Sequence, residues 1–240
     1  MTADIRNPIF VAIDTPDRDH ARDLARRIGG SAGGIKLGLE FFSANGPEGV
    51  RDVMSGHDNL FLDLKYHDIP NTVAGAVRAA VRLRPAIVNV HAAGGPAMMR
   101  AARQAAEEEA GRLGVQRPLV VAVTVLTSID AGDLESVGQK GPVREQVVRL
   151  ARLARDCGLD GVVCSPHEIA AIREACGPEP TLVVPGIRPA GAAMSDQKRV
   201  MTPAEALEAG ADWLVIGRPI TAAADPAAAA RRIAADLAPS

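Results

Sequence analysis

Two aspartates and a lysine lie close together in the segment Leu62–Asp68, at the spacing Asp-x-Lys-x-x-Asp. If this segment is a strand, its two-residue period places Asp63 and Lys65 on one face and leucines on the other. Asp68 follows where the apolar run ends. A structural ion pair is the alternative interpretation, but the attraction within such a buried pair rarely offsets the cost of removing its charges from water. We therefore predict a site in which carboxylates and an ammonium act together.

Further polar residues interrupt or follow apolar runs elsewhere in the chain. Lys36 lies between two apolar residues, where a lysine needs a partner or must lose its charge, unless its ammonium reaches the rim of the fold. Asp14 is the last residue of the first apolar run, and its alternative role is to cap a helix. We interpret His91 as a hydrogen-bonded structural histidine. The hydroxyls of Thr124 and Thr127 either satisfy loop backbone or contact a polar ligand.

Two late segments, Pro185–Arg188 and Gly217-Arg218, combine glycine with arginine. Glycine lets backbone N–H groups approach a phosphate, and arginine adds charge-assisted hydrogen bonds. Turn chemistry would explain either segment alone, but their recurrence predicts a phosphate site. The stretch 189–200 between them is polar, rich in small residues and includes Gln197. We expect it to be an active-site lid, with an ordinary surface loop as the alternative.

Eight short apolar runs must position these residues. They are Ile9–Asp14, Gly34–Glu40, Leu60–Lys65, Ile87–His91, Leu119–Leu126, Gly161–Cys164, Thr181–Pro185 and Trp213–Gly217. Most are nearly continuous in apolar character, which is typical of parallel strands covered on both faces. Amphipathic helical patterns lie between them, for example over Asp17–Ile28 and Thr72–Leu83.

Eight strand–helix units in 240 residues predict a (β/α)8 TIM barrel, whose strand ends carry the active site. An open doubly wound sheet is the alternative. It would normally have Gly-x-Gly-x-x-Gly after the first strand, whereas this chain has Asp14-Thr15-Pro16-Asp17 there. Because no Pro- or Ser-rich linker divides the chain, we expect residues 1–240 to form one domain.

Composition excludes several classes of protein. With 47% hydrophobic residues and a formal net charge of −2, the chain is typical of a globular protein and lacks the basic field of a general nucleic-acid binder. Its three cysteines are an odd number without Cys-x-x-Cys spacing, which argues against a disulfide framework and a structural zinc site. We expect no signal peptide and no membrane span, because long apolar runs are missing. A cytoplasmic location fits these features.

The chain resembles the orotidine 5′-phosphate decarboxylase family essentially from end to end. The most specific segment is Asp63–Thr72, with the sequence Asp-Leu-Lys-Tyr-His-Asp-Ile-Pro-Asn-Thr. The other matching residues are Asp14, Lys36–Gly38, Val90–Gly95, Thr124–Ser128, Pro185–Arg188, Asp196–Arg199 and Gly217–Ile220.

This resemblance implies a homodimeric barrel that converts orotidine 5′-monophosphate to uridine 5′-monophosphate and carbon dioxide in de novo pyrimidine synthesis, with neither metal nor organic cofactor. It implies a catalytic network of Lys36, Asp63, Lys65 and Asp68. It also implies that Asp68, Ile69 and Thr72 reach the site of the other subunit. The remaining implied substrate contacts are Asp14 and Lys36 at the ribose, Thr127 beside the pyrimidine, Gln197, Gly217 and Arg218 at the phosphate, and Pro185 and Arg188 elsewhere in the pocket.

The implied reaction explains the residue types. The electron pair left by carbon dioxide lies in the plane of the ring and cannot spread into the ring carbonyls, so a fixed charge must stabilise it. Lys65 is the candidate cation and general acid. The carboxylates would keep Lys65 charged and oriented.

Three other functions remain as alternatives. A magnesium-dependent sugar-phosphate decarboxylase, such as 3-keto-L-gulonate 6-phosphate decarboxylase, shares the Asp-x-Lys-x-x-Asp pattern but needs a carboxylate where this chain has Lys36. A Schiff-base aldolase needs a neutral lysine, which flanking carboxylates disfavour. A non-catalytic nucleotide-binding barrel would account for Gly217-Arg218 but not for Lys65 between two aspartates.

Overall fold

A computed structural model describes residues 7–139, 141–189 and 201–237. Eight parallel strands close into a barrel in sequence order, each paired with its neighbours and β8 with β1. The strands are β1 Ile9–Ile13, β2 Gly34–Gly38, β3 Leu60–Tyr66, β4 Ile87–His91, β5 Leu119–Val123, β6 Gly161–Val163, β7 Thr181–Pro185 and β8 Trp213–Ile216. Every strand begins at its predicted residue, and the predicted (β/α)8 fold is confirmed.

Helices follow the strands and cover the outside of the barrel. In the described residues they are α1 Arg18–Ile28, α2 Leu39–Val53, α3 Pro70–Val81, α4 Gly95–Leu113, α5 Ala131–Ser136, α6 Val143–Asp156, α7 Ile169–Cys176, α8 Pro203–Glu208, α9 Arg218–Thr221 and α10 Pro226–Ala235. Asp17 caps α1 by accepting from the N–H of His20. Helix α3 begins two residues before its predicted start, because Pro70 has the backbone angle that suits a first helical position.

The strands are buried on both faces, which explains their continuous apolar runs. One core lies between the strands and the helices and includes Val11, Leu37 and Leu62. A second core fills the barrel interior, where the ring of Phe10 lies edge-on to Phe61 at a centroid distance of 6.0 Å. This inner core is closely packed, so the barrel has no open channel and a ligand must bind at one end.

Two arginine–aspartate pairs at the amino-terminal end of the barrel also bond to strand backbone. Both carboxylate oxygens of Asp160 accept from Arg117, at 2.7 and 2.8 Å, and one also accepts from Val120 N at 2.7 Å. Asp212 repeats this arrangement, accepting at 2.7 Å from Arg173 and from the N–H of the second residue of β7. These carboxylates therefore tie neighbouring strands together.

Among the helices formed by the described residues, none combines the length and apolar character that crossing a membrane requires.

Candidate active site

A cavity of about 430 Å³ opens at the carboxyl ends of the strands. Its lower wall is apolar and includes Ala12, Phe61 and Val215 from the inner core. Nine predicted site residues line it: Asp14, Lys36, Asp63, Lys65, Thr127, Pro185, Arg188, Gly217 and Arg218. They come from loops or strand ends that are distant in sequence, as the barrel topology requires.

Four charged side chains of alternating sign form a continuous chain across the cavity. Lys36 Nζ lies 3.0 Å from Asp14 Oδ1 and 3.3 Å from Asp63 Oδ2. Lys65 Nζ lies 2.6 Å from Asp63 Oδ1. Lys36 and Asp63 are buried, whereas Asp14 is exposed and the Lys65 side chain is 27% exposed. The inner charges are thus fully paired, while the two outer groups remain accessible to a ligand.

The carboxyl group of Asp63 stays ionised despite its burial. Removal from water raises its pKa. The charges of Lys36 and Lys65, together with the hydrogen bonds from Lys65 and Asn89, lower the pKa by more than burial raises it, so the pKa lies below its usual value. The site therefore holds a buried carboxylate between two ammonium groups.

The backbone of Lys65 departs from regular strand geometry. Its φ is +48°, in the left-handed region that side-chain-bearing residues rarely occupy. The pairing of β3 with β4 shifts register between Leu62 and Tyr66 at the same place. Asp63 and Lys65 do meet, as the two-residue period predicted, but through this irregular backbone rather than along a straight strand.

Asn89 is a site residue that sequence reasoning missed. It is fully buried in the middle of β4, donates from Nδ2 to Asp63 Oδ1 at 2.6 Å, and accepts from Lys65 N at 2.8 Å. The signal was a single amide between apolar residues in Ile87–Val90. The hydrogen-bond partners of that amide lie on β3, and they become apparent only when β3 is paired with β4.

The opposite wall combines backbone of unusual conformation with arginine side chains. Gly186 has φ +83°, which favours glycine, and Arg188 N donates to Met201 O at 3.1 Å. Gly217 precedes the short helix α9, which begins with Arg218. The two Gly-Arg segments therefore face the same cavity, as the sequence predicted.

Asp68, Ile69 and Thr72 lie outside the cavity wall, on the exposed rim where β3 leads into α3. Asp68 Oδ1 accepts from the N–H of Ile69 at 2.6 Å, and Ile69 is 67% exposed. An exposed apolar side chain of this size at a rim suits contact with another molecule. Gln197 lies outside the described residues.

Three other polar residues take different positions. Thr124 donates to Val163 O at 3.0 Å, so its hydroxyl satisfies backbone. Cys164 is buried in the cavity wall, and burial raises the pKa of its thiol. His91 stacks on His67 at 5.4 Å, and its buried Nδ1 has no hydrogen-bond partner in the described part of the chain. The expected structural hydrogen bond of His91 is therefore not found at Nδ1.

Within residues 7–139, 141–189 and 201–237, no group of three or more His, Cys, Asp or Glu side chains is arranged to hold a metal ion.

Comparison with known proteins identifies relatives over nearly the whole chain. The sequence model of the family described as "Orotidine 5'-phosphate decarboxylase / HUMPS family" matches residues 7–233. A protein of Paramagnetospirillum magneticum named orotidine 5′-phosphate decarboxylase is 59% identical over 231 residues, covering 96% of this chain and 98% of its own. A protein of the same name from Rhodospirillum rubrum is 58% identical over 233 residues, covering 97% and 94%.

A solved structure whose protein carries the same name has a similar fold. The crystal structure of orotidine 5′-phosphate decarboxylase from Lactobacillus acidophilus superposes with a TM-score of 0.86 at 35% sequence identity. The match covers 96% of this chain and 99% of that structure.

Proposed function

The chain belongs to the orotidine 5′-phosphate decarboxylase / HUMPS family and is a carboxy-lyase of it, and we propose that it converts orotidine 5′-monophosphate to uridine 5′-monophosphate and carbon dioxide without a metal or organic cofactor. The observation that carries this proposal is the chain of charges Asp14–Lys36–Asp63–Lys65 beside a cavity with arginines on its far wall. The reaction belongs to pyrimidine biosynthesis.

Lys65 supplies the charge that the reaction needs. Loss of carbon dioxide leaves an electron pair in the plane of the pyrimidine ring, where the ring carbonyls cannot delocalise it. An ammonium aimed at that carbon stabilises the developing charge and then delivers its proton there as general acid. At about 4 Å and an effective dielectric constant near 20, one such charge pair is worth roughly 4 kcal/mol. Enzymes typically lower barriers by about 8–23 kcal/mol, so further contributions are needed.

Asp63 provides part of that remainder by holding the Lys65 ammonium in place at 2.6 Å, and Lys36 in turn holds Asp63 from 3.3 Å. Asp63 also lies where it would face the carboxylate of a substrate whose reacting carbon is next to Lys65. Repulsion between those two carboxylates is relieved as carbon dioxide leaves. Asp14 and Lys36 contact the ribose hydroxyls, and Thr127 contacts the pyrimidine edge.

The phosphate supplies binding energy far from the reacting carbon. Gly217 and Arg218, with Gln197, bind the phosphate, and Pro185 and Arg188 complete that side of the pocket. This binding energy holds the ring against Lys65. A substrate without its phosphate should therefore lose turnover as well as affinity. The lid expected over 189–200 falls on residues that, from 190 onward, lie outside the described part of the chain.

A metal-dependent sugar-phosphate decarboxylase is the alternative within the same fold. Magnesium prefers oxygen ligands, whereas the ammonium of Lys36 occupies the second strand end of this site. The test is an assay of purified, chelator-treated protein with orotidine 5′-monophosphate, following loss of orotate absorbance and formation of uridine 5′-monophosphate. Rapid conversion supports the proposal. Folded protein that converts keto-sugar phosphates only with added magnesium would overturn it.

The exposed rim residues Asp68, Ile69 and Thr72 act in the site of a second subunit in a homodimer. The support is their position outside their own cavity and the exposure of Ile69. Mixing Lys65→Ala subunits with Asp68→Ala subunits should restore activity, because one of the two sites in each mixed dimer would then contain both intact residues. No recovery in dimers shown to be mixed would contradict the shared site.

A further inference from the structure

We propose that Asn89 is a positioning residue that holds Lys65 in its left-handed backbone conformation and orients the carboxylate of Asp63. This inference rests on the proposed function, because it concerns the same lysine. It extends that function to a residue that does not line the cavity and that acts through two others.

The first support is the pair of hydrogen bonds that Asn89 makes. Its Nδ2 donates to Asp63 Oδ1 at 2.6 Å, while its Oδ1 accepts from Lys65 N at 2.8 Å. One planar amide thus connects the carboxylate that pairs with the Lys65 ammonium to the backbone from which the Lys65 side chain projects. Because Asn89 is fully buried, no water competes for either bond.

The second support is the backbone of Lys65 itself. A lysine at φ +48° is in an unfavourable conformation that surrounding contacts must hold in place. The N–H of Lys65 would normally bond within the sheet, but the register shift between β3 and β4 removes that option. The side chain of Asn89 provides the acceptor instead, so it fixes the irregular turn that directs Lys65 toward Asp63.

A second contact, two residues further along, joins β4 to the residue that directly follows β3. His67 stacks on His91 with ring centroids 5.4 Å apart and an interplanar angle of 26°. The irregular end of β3 is therefore supported by β4 at two successive positions, through an amide and then through a ring. Of these two contacts, the one made by Asn89 reaches the charged side chains of the site, through its hydrogen bond to Asp63.

The principal test replaces Asn89 and separates turnover from binding. Asn89→Ala should lower kcat by about 10- to 100-fold, the loss expected when a reacting group shifts by about 1 Å, while KM stays within about threefold. The matched control is Asn59→Ala at the other end of the barrel, where the amide donates to Gly33 O at 2.8 Å. It should leave kcat and KM unchanged. A wild-type kcat for folded Asn89→Ala would overturn the proposal.

Asn89→Asp adds a readout that a purely structural role would not produce. When protonated, the introduced carboxyl donates to Asp63 and accepts from Lys65 N, as the amide does. When ionised, it repels Asp63. Near pH 5.5 we expect kcat at least about tenfold above that of Asn89→Ala, with the advantage shrinking as the pH rises. Equal kcat values for the two variants at that pH would overturn the proposal. If Asn89→Ala does not fold, Asn89→Asp is compared with the wild type instead, and a kcat ratio that does not change with pH would overturn the proposal.

Failure of the proposed function is seen separately, as wild-type protein that does not convert orotidine 5′-monophosphate. The positioning role then still has its own measurement in crystal structures of the wild type and Asn89→Ala. We expect Lys65 to leave the left-handed region in the variant. A Lys65 with unchanged backbone and Nζ position would overturn the inference whatever the substrate is.

Discussion

The two ends of the barrel use the same kinds of charged side chain for different purposes. At the amino-terminal end, Asp160 accepts two hydrogen bonds from Arg117 and one from strand backbone. At the carboxyl end, the carboxylate of Asp63 accepts from Lys65 and Asn89, and its other oxygen lies 3.3 Å from Lys36. Both carboxylates are therefore fully paired, but only the second is surrounded by groups that a ligand can still reach.

This difference shows what distinguishes a site from a structural clamp. In the clamp, the planar guanidinium and the carboxylate match each other and the remaining bond goes to a strand N–H, so the group connects backbone to backbone. In the site, Lys65 makes one described contact through Nζ, to Asp63, and its ammonium has three donor hydrogens. Its backbone is also strained. Unused donors beside a cavity are found at the carboxyl end, where ligands bind in this fold.

The largest expected effect comes from removing the charge of Lys65. Lys65→Ala should reduce kcat by about 10³-fold or more, because charge stabilisation and proton delivery are lost together. Binding of uridine 5′-monophosphate should persist, since the phosphate contacts remain. Steady-state kinetics and calorimetric binding measure the two effects. A Lys65→Ala variant that keeps substantial turnover would contradict the assignment of catalysis to the carboxyl end of the barrel.

Removing one guanidinium from each end provides a matched pair. Arg218→Ala should raise KM by about 10- to 100-fold, because a charge-assisted bond is worth about 1.5–3 kcal/mol. Arg117→Ala should leave KM unchanged and lower Tm. Kinetics of both variants and thermal melting of Arg117→Ala check this pattern. An unchanged KM for Arg218→Ala would contradict its assignment to the phosphate.

Asp160→Ala tests the clamp through stability alone. It leaves Arg117 without its carboxylate and the N–H of Val120 without an acceptor, so the free energy of unfolding should fall by about 2 kcal/mol. Denaturant titration measures that change, and kcat measured well below the transition should equal that of the wild type. A loss of kcat without a loss of stability would show that the two ends are coupled.

The smallest expected effect is a pH dependence of stability that involves one histidine near each end. Burial lowers the pKa of His91, and the charges of His67 and Lys65 lower it further. Burial also lowers the pKa of His57, opposed by Asp58. Both folded-state values lie below the ordinary 6.5, so between each folded value and 6.5 the unfolded chain binds more protons. The contribution of these two histidines to the free energy of unfolding is present above pH 6.5. It is lost as the pH falls through their folded-state pKa values.

His91→Gln and His57→Gln should each reduce the fall in Tm between about pH 6.5 and pH 5. Added salt should weaken the contribution of His91 more than that of His57, because neighbouring positive charges contribute to the first shift. A Tm–pH curve identical to that of the wild type in both variants would contradict the assignment.

Much of the molecule was predictable because its signals are local. The eight apolar runs begin at the observed strand starts. Lys36, Asp63 and Lys65 stood out as charges in apolar surroundings, and the cavity unites them with Arg188 and Arg218. The catalytic roles, the shared dimeric site, the role of Gln197 and the assignment of residues 1–240 to one domain stay predictions.

The sequence by itself determined where each strand begins, which ends of those strands are polar and which family the chain resembles, because hydropathy and residue spacing act along the chain. The tertiary structure decided the left-handed turn at Lys65, the shift in register beside it and the use of Asn89 as its support. A backbone conformation of this kind is set by partners from the next strand, and those partners are known only once the barrel has closed.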